Sequence, residues 1–142
     1  MECAEEIINT TIRSIKIEDY EDINKWWIGV GEENPPVLSM LPDGGLGGVL
    51  VERNGKPIAA MYLYLTNSAI GYIANAIADP DYKSKDRFEL ITRLIDECVR
   101  RGAAVGCSMV WATSLSKGII KKCKELNYEI SEQPHHIITK YI

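Results

Sequence analysis

From Thr10 to Ile17 β-branched and polar residues alternate, the two-residue period of a half-buried strand. Glu18 and Asp19 then open a helix with acid in its first turn. Tyr20, Ile23 and Trp27 share one face of that helix, with Trp26 beside it, and Gly29 and Gly31 end it. Residues 31–48 carry neither period. Asn34-Pro35-Pro36 breaks any helix, and Leu38, Met40 and Leu41 allow only a short helical turn. The glycine cluster at 44–48 reads as a connector, because it precedes a strand and lacks the Lys-Ser/Thr ending of a phosphate loop. Strands over 49–53 and 57–65 flank Asn54-Gly55, two residues that tolerate the positive φ of a tight hairpin. The second strand is apolar on both faces and belongs in the middle of a covered sheet. Asn67-Ser68 turns the chain into a further strand, 70–78.

After Asp79-Pro80 the period becomes helical, from near Lys85. Phe88, Ile91, Ile95 and Cys98 form a stripe that Leu94 and Val99 widen, with Gly102 as the terminator. Residues 105–111 read as a buried strand. Ser114 or Ser116 caps a last helix, whose apolar face is Ile119, Ile120, Cys123 and Leu126, and Asn127 suits a left-handed end. Residues 128–130 and 137–141 complete the strand pattern, joined through Pro134-His135-His136. Trp26, Trp27, Tyr62, Tyr64 and Trp111 fall on core periodicities; Trp26 and Trp27 are alternatively placed toward the 29–42 loop. The order predicts an α/β (α+β) fold: one domain over 1–142, with a mixed, mostly antiparallel sheet of about seven strands and helices on both faces.

Composition narrows the function classes. The 142 residues carry a net charge of −4, which argues against general affinity for nucleic acid. No apolar run is long enough to span a membrane. The acidic start, Met1-Glu2-Cys3-Ala4-Glu5-Glu6, differs from a secretory signal, so a reducing cytoplasm is the expected compartment. The four cysteines, Cys3, Cys98, Cys107 and Cys123, form no Cys-x-x-Cys pair, and the last three sit among apolar residues as small hydrophobes. No metal site is expected.

The chemistry concentrates at the junction after strand 70–78. A strand ending at a Pro-containing turn and leading into a helix leaves backbone N–H groups free at the helix start. With Lys83 and Lys85 nearby, these groups favour a phosphate-bearing ligand.

The element order and several local patterns resemble the GNAT superfamily of acyl-CoA-dependent N-acetyltransferases, over nearly the whole chain from Ile12 to Tyr141. The patterns are Thr11-Ile12-Arg13 with Glu18-Asp19, the Asn54-Gly55 hairpin, Ala78-Asp79-Pro80-Asp81-Tyr82-Lys83 at the end of the fourth strand, and Leu126-Asn127-Tyr128 where the family commonly has Leu-Gly-Phe. The resemblance implies transfer of an acetyl group from acetyl-CoA to a primary amine on a small molecule or protein, and pairing of two copies through edge or C-terminal strands. It places the pantetheine amides against the main chain of Ala76, Ile77 and Ala78, and the pyrophosphate at Lys83, Ser84, Lys85, Asp86, Arg87 and Phe88. Thr113, Ser114 and Ser116 come beside the pantetheine arm.

Departures from the family pattern define a second reading. Asp86 and Phe88 stand where the family's loop has glycine, and Cys123 stands where many members have a tyrosine that protonates the leaving sulfur; its thiol is a candidate proton donor there, with packing on the Ile119–Leu126 face as the other reading. Strand 70–78 holds no acid to act as a base. Asn75 is its strongly polar residue, suited to position water or substrate. Glu32, Glu33, His135 and His136 belong to loops bordering the acceptor side. Taken together, these losses suggest a non-catalytic binding or accessory module as the alternative.

Overall fold

The computed structural model describes residues 9–114, 116–131 and 138–142. Its five-stranded sheet has the order β1-β2-β3-β4-β5, with β1 Thr10–Ser14, β2 Gly48–Arg53, β3 Lys56–Leu65, β4 Ile70–Ala78 and β5 Met109–Ala112. The first four strands are antiparallel neighbours, and β5 lies parallel to β4. Asn54 and Gly55 close the β2–β3 hairpin with φ of 53° and 78°. The strand with apolar residues on both faces, β3, is central.

Helix α1 (Tyr20–Gly29) covers one face. Ile23, Trp26 and Trp27 pack there with Leu50, Ala60 and Tyr62, so both tryptophans are core residues rather than walls of the 29–42 loop. Helix α2 (Arg87–Ala104) covers the other face, where Leu90, Leu94 and Cys98 meet Val49, Val51, Met61 and Ile73. The short helix α3 (Lys117–Glu125) packs beside α2, capped by the Ser116 hydroxyl, which accepts from the Ile119 amide at 3.3 Å. Residues 38–45 form two short 3-10 turns on the α1 side.

Four expectations need correction. The described residues form five strands, because 128–131 and 138–142 are irregular. Ile138 is 95% exposed. Helix α2 starts at Arg87 and runs past Gly102 to Ala104. Gly102 does not terminate it but lets β5 approach closely, since a Cβ there would lie 2.8 Å from a Val110 methyl. The left-handed residue after the helix is Gly106, at φ 99°, so residues 105–108 are spent on the turn and β5 begins at Met109. Trp111 is half-exposed on the last strand, tilted against Tyr72 with ring centroids 4.8 Å apart. Among the described residues no helix is long and apolar enough to cross a membrane.

Candidate functional site

Strands β4 and β5 separate halfway along. Residues 70–73 pair with β5, whereas 74–78 have no partner on that side among the described residues. At the point of separation the β3–β4 register slips: Ala60 pairs with Ile77 and Tyr62 with Ala74, so Asn75 and Ala76 together oppose Met61. This is a β-bulge, and Asn75 adopts the left-handed conformation (φ 55°) that asparagine tolerates better than other non-glycine residues. The Asn75 carboxamide donates to the Tyr64 hydroxyl at 2.6 Å, and that hydroxyl donates to the Met40 carbonyl at 2.9 Å. One network therefore links the bulge to the 38–40 turn. Ala76 is exposed, Ile77 packs on the α1 side and Ala78 is buried on the α2 side.

Beyond Ala78 the chain is pinned before it enters α2. The Asp79 amide bonds the Ile58 carbonyl at 2.7 Å, and the Asp79 side chain accepts from the Asp81 amide at 2.9 Å. Lys83, Ser84 and Lys85 are exposed. Asp86 flanks the first turn of α2 but makes no side-chain capping bond. Its carboxylate instead pairs with Arg53 at the end of β2 and accepts from the Tyr82 hydroxyl at 2.7 Å. Burial acts to raise its pKa, but the bonds from Tyr82 and Ser84 and the Arg53 charge prevail and hold it below the usual carboxylate value. The first intrahelical bond runs from the Leu90 amide to the Asp86 carbonyl, and among the described residues the amides of Phe88 and Glu89 have no partner.

Helix α3 begins beside the start of α2. A Cβ on Gly118 would meet the Phe88 ring at 2.8–3.0 Å, so the ring rests directly on the α3 backbone. Phe88 therefore neither enters the core nor stands free: it is 41% exposed and fills the gap between the two helix starts. Thr113 and Ser114 are exposed on the link from β5, and the Ser114 hydroxyl accepts from the Ser116 amide at 3.1 Å.

Cys123 lies further along α3, buried against α2. Burial, then the nearby Asp96 charge, push its thiol pKa up. Tyr128, just past the helix, donates to Asp96. Glu32 and Glu33 are exposed in the turn after α1, whereas His135 and His136 lie outside the described residues.

Three participants escaped the sequence reading. Arg53 is 33 positions from Asp86 and meets it only because the β2–β3 hairpin and the β4 exit share one end of the sheet. Tyr64 reads as a core aromatic. Gly118, a glycine in the first turn of an amphipathic helix, was the one sequence signal available for a close approach.

The sequence matches no protein-family model and no curated protein. Solved structures share its fold. An N-acetylglutamate synthase from Neisseria gonorrhoeae, complexed with coenzyme A and N-acetyl-glutamate, superposes with a TM-score of 0.65 at 18% identity, over 82% of this chain and 28% of the synthase. The chain thus spans little more than a quarter of that protein's length. An aminoglycoside acetyltransferase from an uncultured soil metagenomic sample gives 0.68 at 12% identity, over 94% of this chain and 97% of that one. An aminoglycoside N-acetyltransferase in complex with CoA gives 0.64 at 15% identity, over 98% and 100%. The chain shares the fold of these acetyltransferases.

Proposed function

We propose that this protein is an acyl-CoA-dependent N-acyltransferase, moving an acetyl group from acetyl-CoA to a primary amine. The observation that carries the reading is the opening between β4 and β5. A strand edge unpaired among the described residues, with a bulge at Asn75–Ala76, leads to two adjacent helix starts, one whose Phe88 and Glu89 amides have no partner there. An extended amide-bearing arm can complete an open strand edge, and a pyrophosphate can lie on free amides at a positive helix end. These two features fit the two halves of coenzyme A.

In this reading the main chain of Ala76, Ile77 and Ala78 takes the pantetheine arm, with Thr113, Ser114 and Ser116 on the opposite wall. The amides at the start of α2 take the pyrophosphate, aided by the exposed Lys83 and Lys85 charges; Ser84 and Arg87 flank them. Asp86 does not oppose the anion, because its charge is matched by Arg53. Acetyl-CoA, when bound, supplies an activated thioester carbonyl. The chain supplies orientation and backbone donors, which act most strongly where charge develops. Asn75 shapes the bulge and anchors Tyr64, whose pKa burial raises, against the bond from Asn75; the phenol stays protonated at neutral pH and serves as a donor. We assign Cys123 to packing between α2 and α3.

The amine acceptor would enter from the 31–48 side. Aminoglycosides and glutamate, drawn from the names of the structural neighbours, are the first acceptors to try. The Phe88 ring on Gly118 favours one second reading, a GNAT-fold module that has closed its cofactor cleft. Calorimetric titration with acetyl-CoA and with coenzyme A separates the two. Micromolar binding supports the transferase, and an acceptor screen follows; absence of binding at millimolar ligand sinks it.

A further inference from the structure

We propose that Asp86 is a positioning residue for anion binding: clamped by Arg53 and Tyr82, it fixes the 82–86 loop so that the Phe88 and Glu89 amides stay open. The inference rests on the acyltransferase reading and adds to it a role opposite to the one charge alone would suggest. A carboxylate at a helix start ordinarily caps the amides and competes with a bound anion.

Here the side chain makes no capping bond, while the Asp86 backbone carbonyl accepts the first helical bond, from Leu90. The carboxylate is turned the other way, onto a guanidinium from a different strand and a phenol four residues back. Tyr82 itself packs against the core beneath α2, and its amide is held by the Asp79 carbonyl at 3.0 Å. Arg53 is mostly enclosed, and its Nε has no partner among the described residues, so the ion pair with Asp86 is its main anchor there. A glycine would leave the backbone at this position free to sample many conformations. The Asp86 clamp removes that freedom through Arg53 and Tyr82, without a side-chain bond to the amides.

The test measures coenzyme A affinity by calorimetry for the wild-type chain, Asp86→Asn and Tyr82→Phe, at a temperature where circular dichroism shows all three folded. Hydrogen exchange over residues 79–90 is followed without ligand. Tyr82→Phe keeps every charge and removes one hydrogen bond to Asp86, so it separates geometry from electrostatics. The clamp predicts that Asp86→Asn weakens binding by roughly tenfold, that Tyr82→Phe weakens it by roughly threefold, and that both speed exchange in the loop. Binding as tight or tighter in Asp86→Asn overturns the proposal while leaving the transferase reading intact. So does a weakened Asp86→Asn beside an unchanged Tyr82→Phe and unchanged loop exchange. If the wild-type chain fails to bind coenzyme A at millimolar concentration, the transferase reading falls and the clamp's role in anion binding falls with it.

Discussion

Replacing Tyr62 by phenylalanine should stabilise the protein. Tyr62 is fully buried on β3 beneath α1, its ring stacked with Trp27 at a centroid distance of 6.4 Å. The two neighbouring phenols on this side are satisfied, Tyr20 by the Pro36 carbonyl at 2.8 Å and Tyr64 by the Met40 carbonyl. The Tyr62 hydroxyl is buried without a partner among the described residues. Leaving a hydroxyl dry and unbonded costs about 1–3 kcal/mol, whereas an apolar group of the same shape avoids that penalty. Tyr62→Phe keeps the ring and its stacking and removes the oxygen. The small gap left behind returns up to about 1 kcal/mol of lost packing.

The net expectation is a gain of about 1 kcal/mol, or about 3 °C in Tm for a chain of this size. Urea unfolding followed by circular dichroism should show a higher midpoint with unchanged slope, which reports stability rather than a changed unfolded state. A loss of 1 kcal/mol or more would refute the reasoning. It would mean that the hydroxyl is bonded in solution, to a buried water bridging it to the backbone under the 36–41 segment.

Three further outcomes follow from the structure. Asp19 sits below its ordinary pKa chiefly through its bonds from Arg13, at 2.7 and 2.8 Å, against the opposing effect of burial, with the Lys16 amide adding to them. A carboxyl depressed by folding contributes stability above its unfolded pKa and loses it as pH falls through the folded value. The urea midpoint should therefore drop below about pH 4, and Asp19→Asn, less stable by about 2 kcal/mol at pH 7, should flatten that drop. Asn75→Gly keeps access to the left-handed conformation and should hold coenzyme A affinity within about threefold, while Asn75→Val, strained there by about 1–2 kcal/mol, should lose more than tenfold; equal affinities would refute a role for the bulge. Phe88→Ala should reduce stability by about 2 kcal/mol, since half of the ring is already exposed, yet tighten coenzyme A binding in calorimetry; unchanged or weaker binding would show that the ring does not obstruct the cleft.

Periodicity made the middle of the chain legible. The two-faced apolar run of β3, the Asn54-Gly55 turn and the α2 stripe are strong local signals, and local signals suffice where strands are joined by hairpins. The ends of elements were harder. Gly102 and Gly106 look alike in sequence, but one is packed inside a helix against Val110 and the other has left-handed backbone. Residues 105–108 lead straight into β5, and only the left-handed turn at Gly106 keeps them out of the strand. The final segments alternate like strands, yet edge pairing depends on partners that no short pattern specifies. At the site, Asn75 stood out as the polar residue in an apolar strand, but the bulge it occupies depends on register with β3, a property of two strands rather than one.

The same distinction decides how the two lost glycines should be weighed. Read along the chain, Asp86 and Phe88 each remove what a phosphate loop requires, one by charge and the other by bulk. In three dimensions the two losses are unequal. The Asp86 charge is paired with Arg53 and makes no capping bond to the helix, so the field at the Phe88 and Glu89 amides is set chiefly by the helix end with Lys83 and Lys85. Phe88 is a steric problem instead, and a local one: its ring rests on Gly118, where a side chain would collide, and is 41% exposed. A half-exposed ring can change rotamer at small cost, whereas a misplaced unpaired charge cannot be moved. The affinity for coenzyme A should therefore be limited by the work of displacing one ring. Weak binding that Phe88→Ala strengthens is the pattern this argument requires, and weak binding that Asp86→Asn strengthens is the pattern that would reverse it.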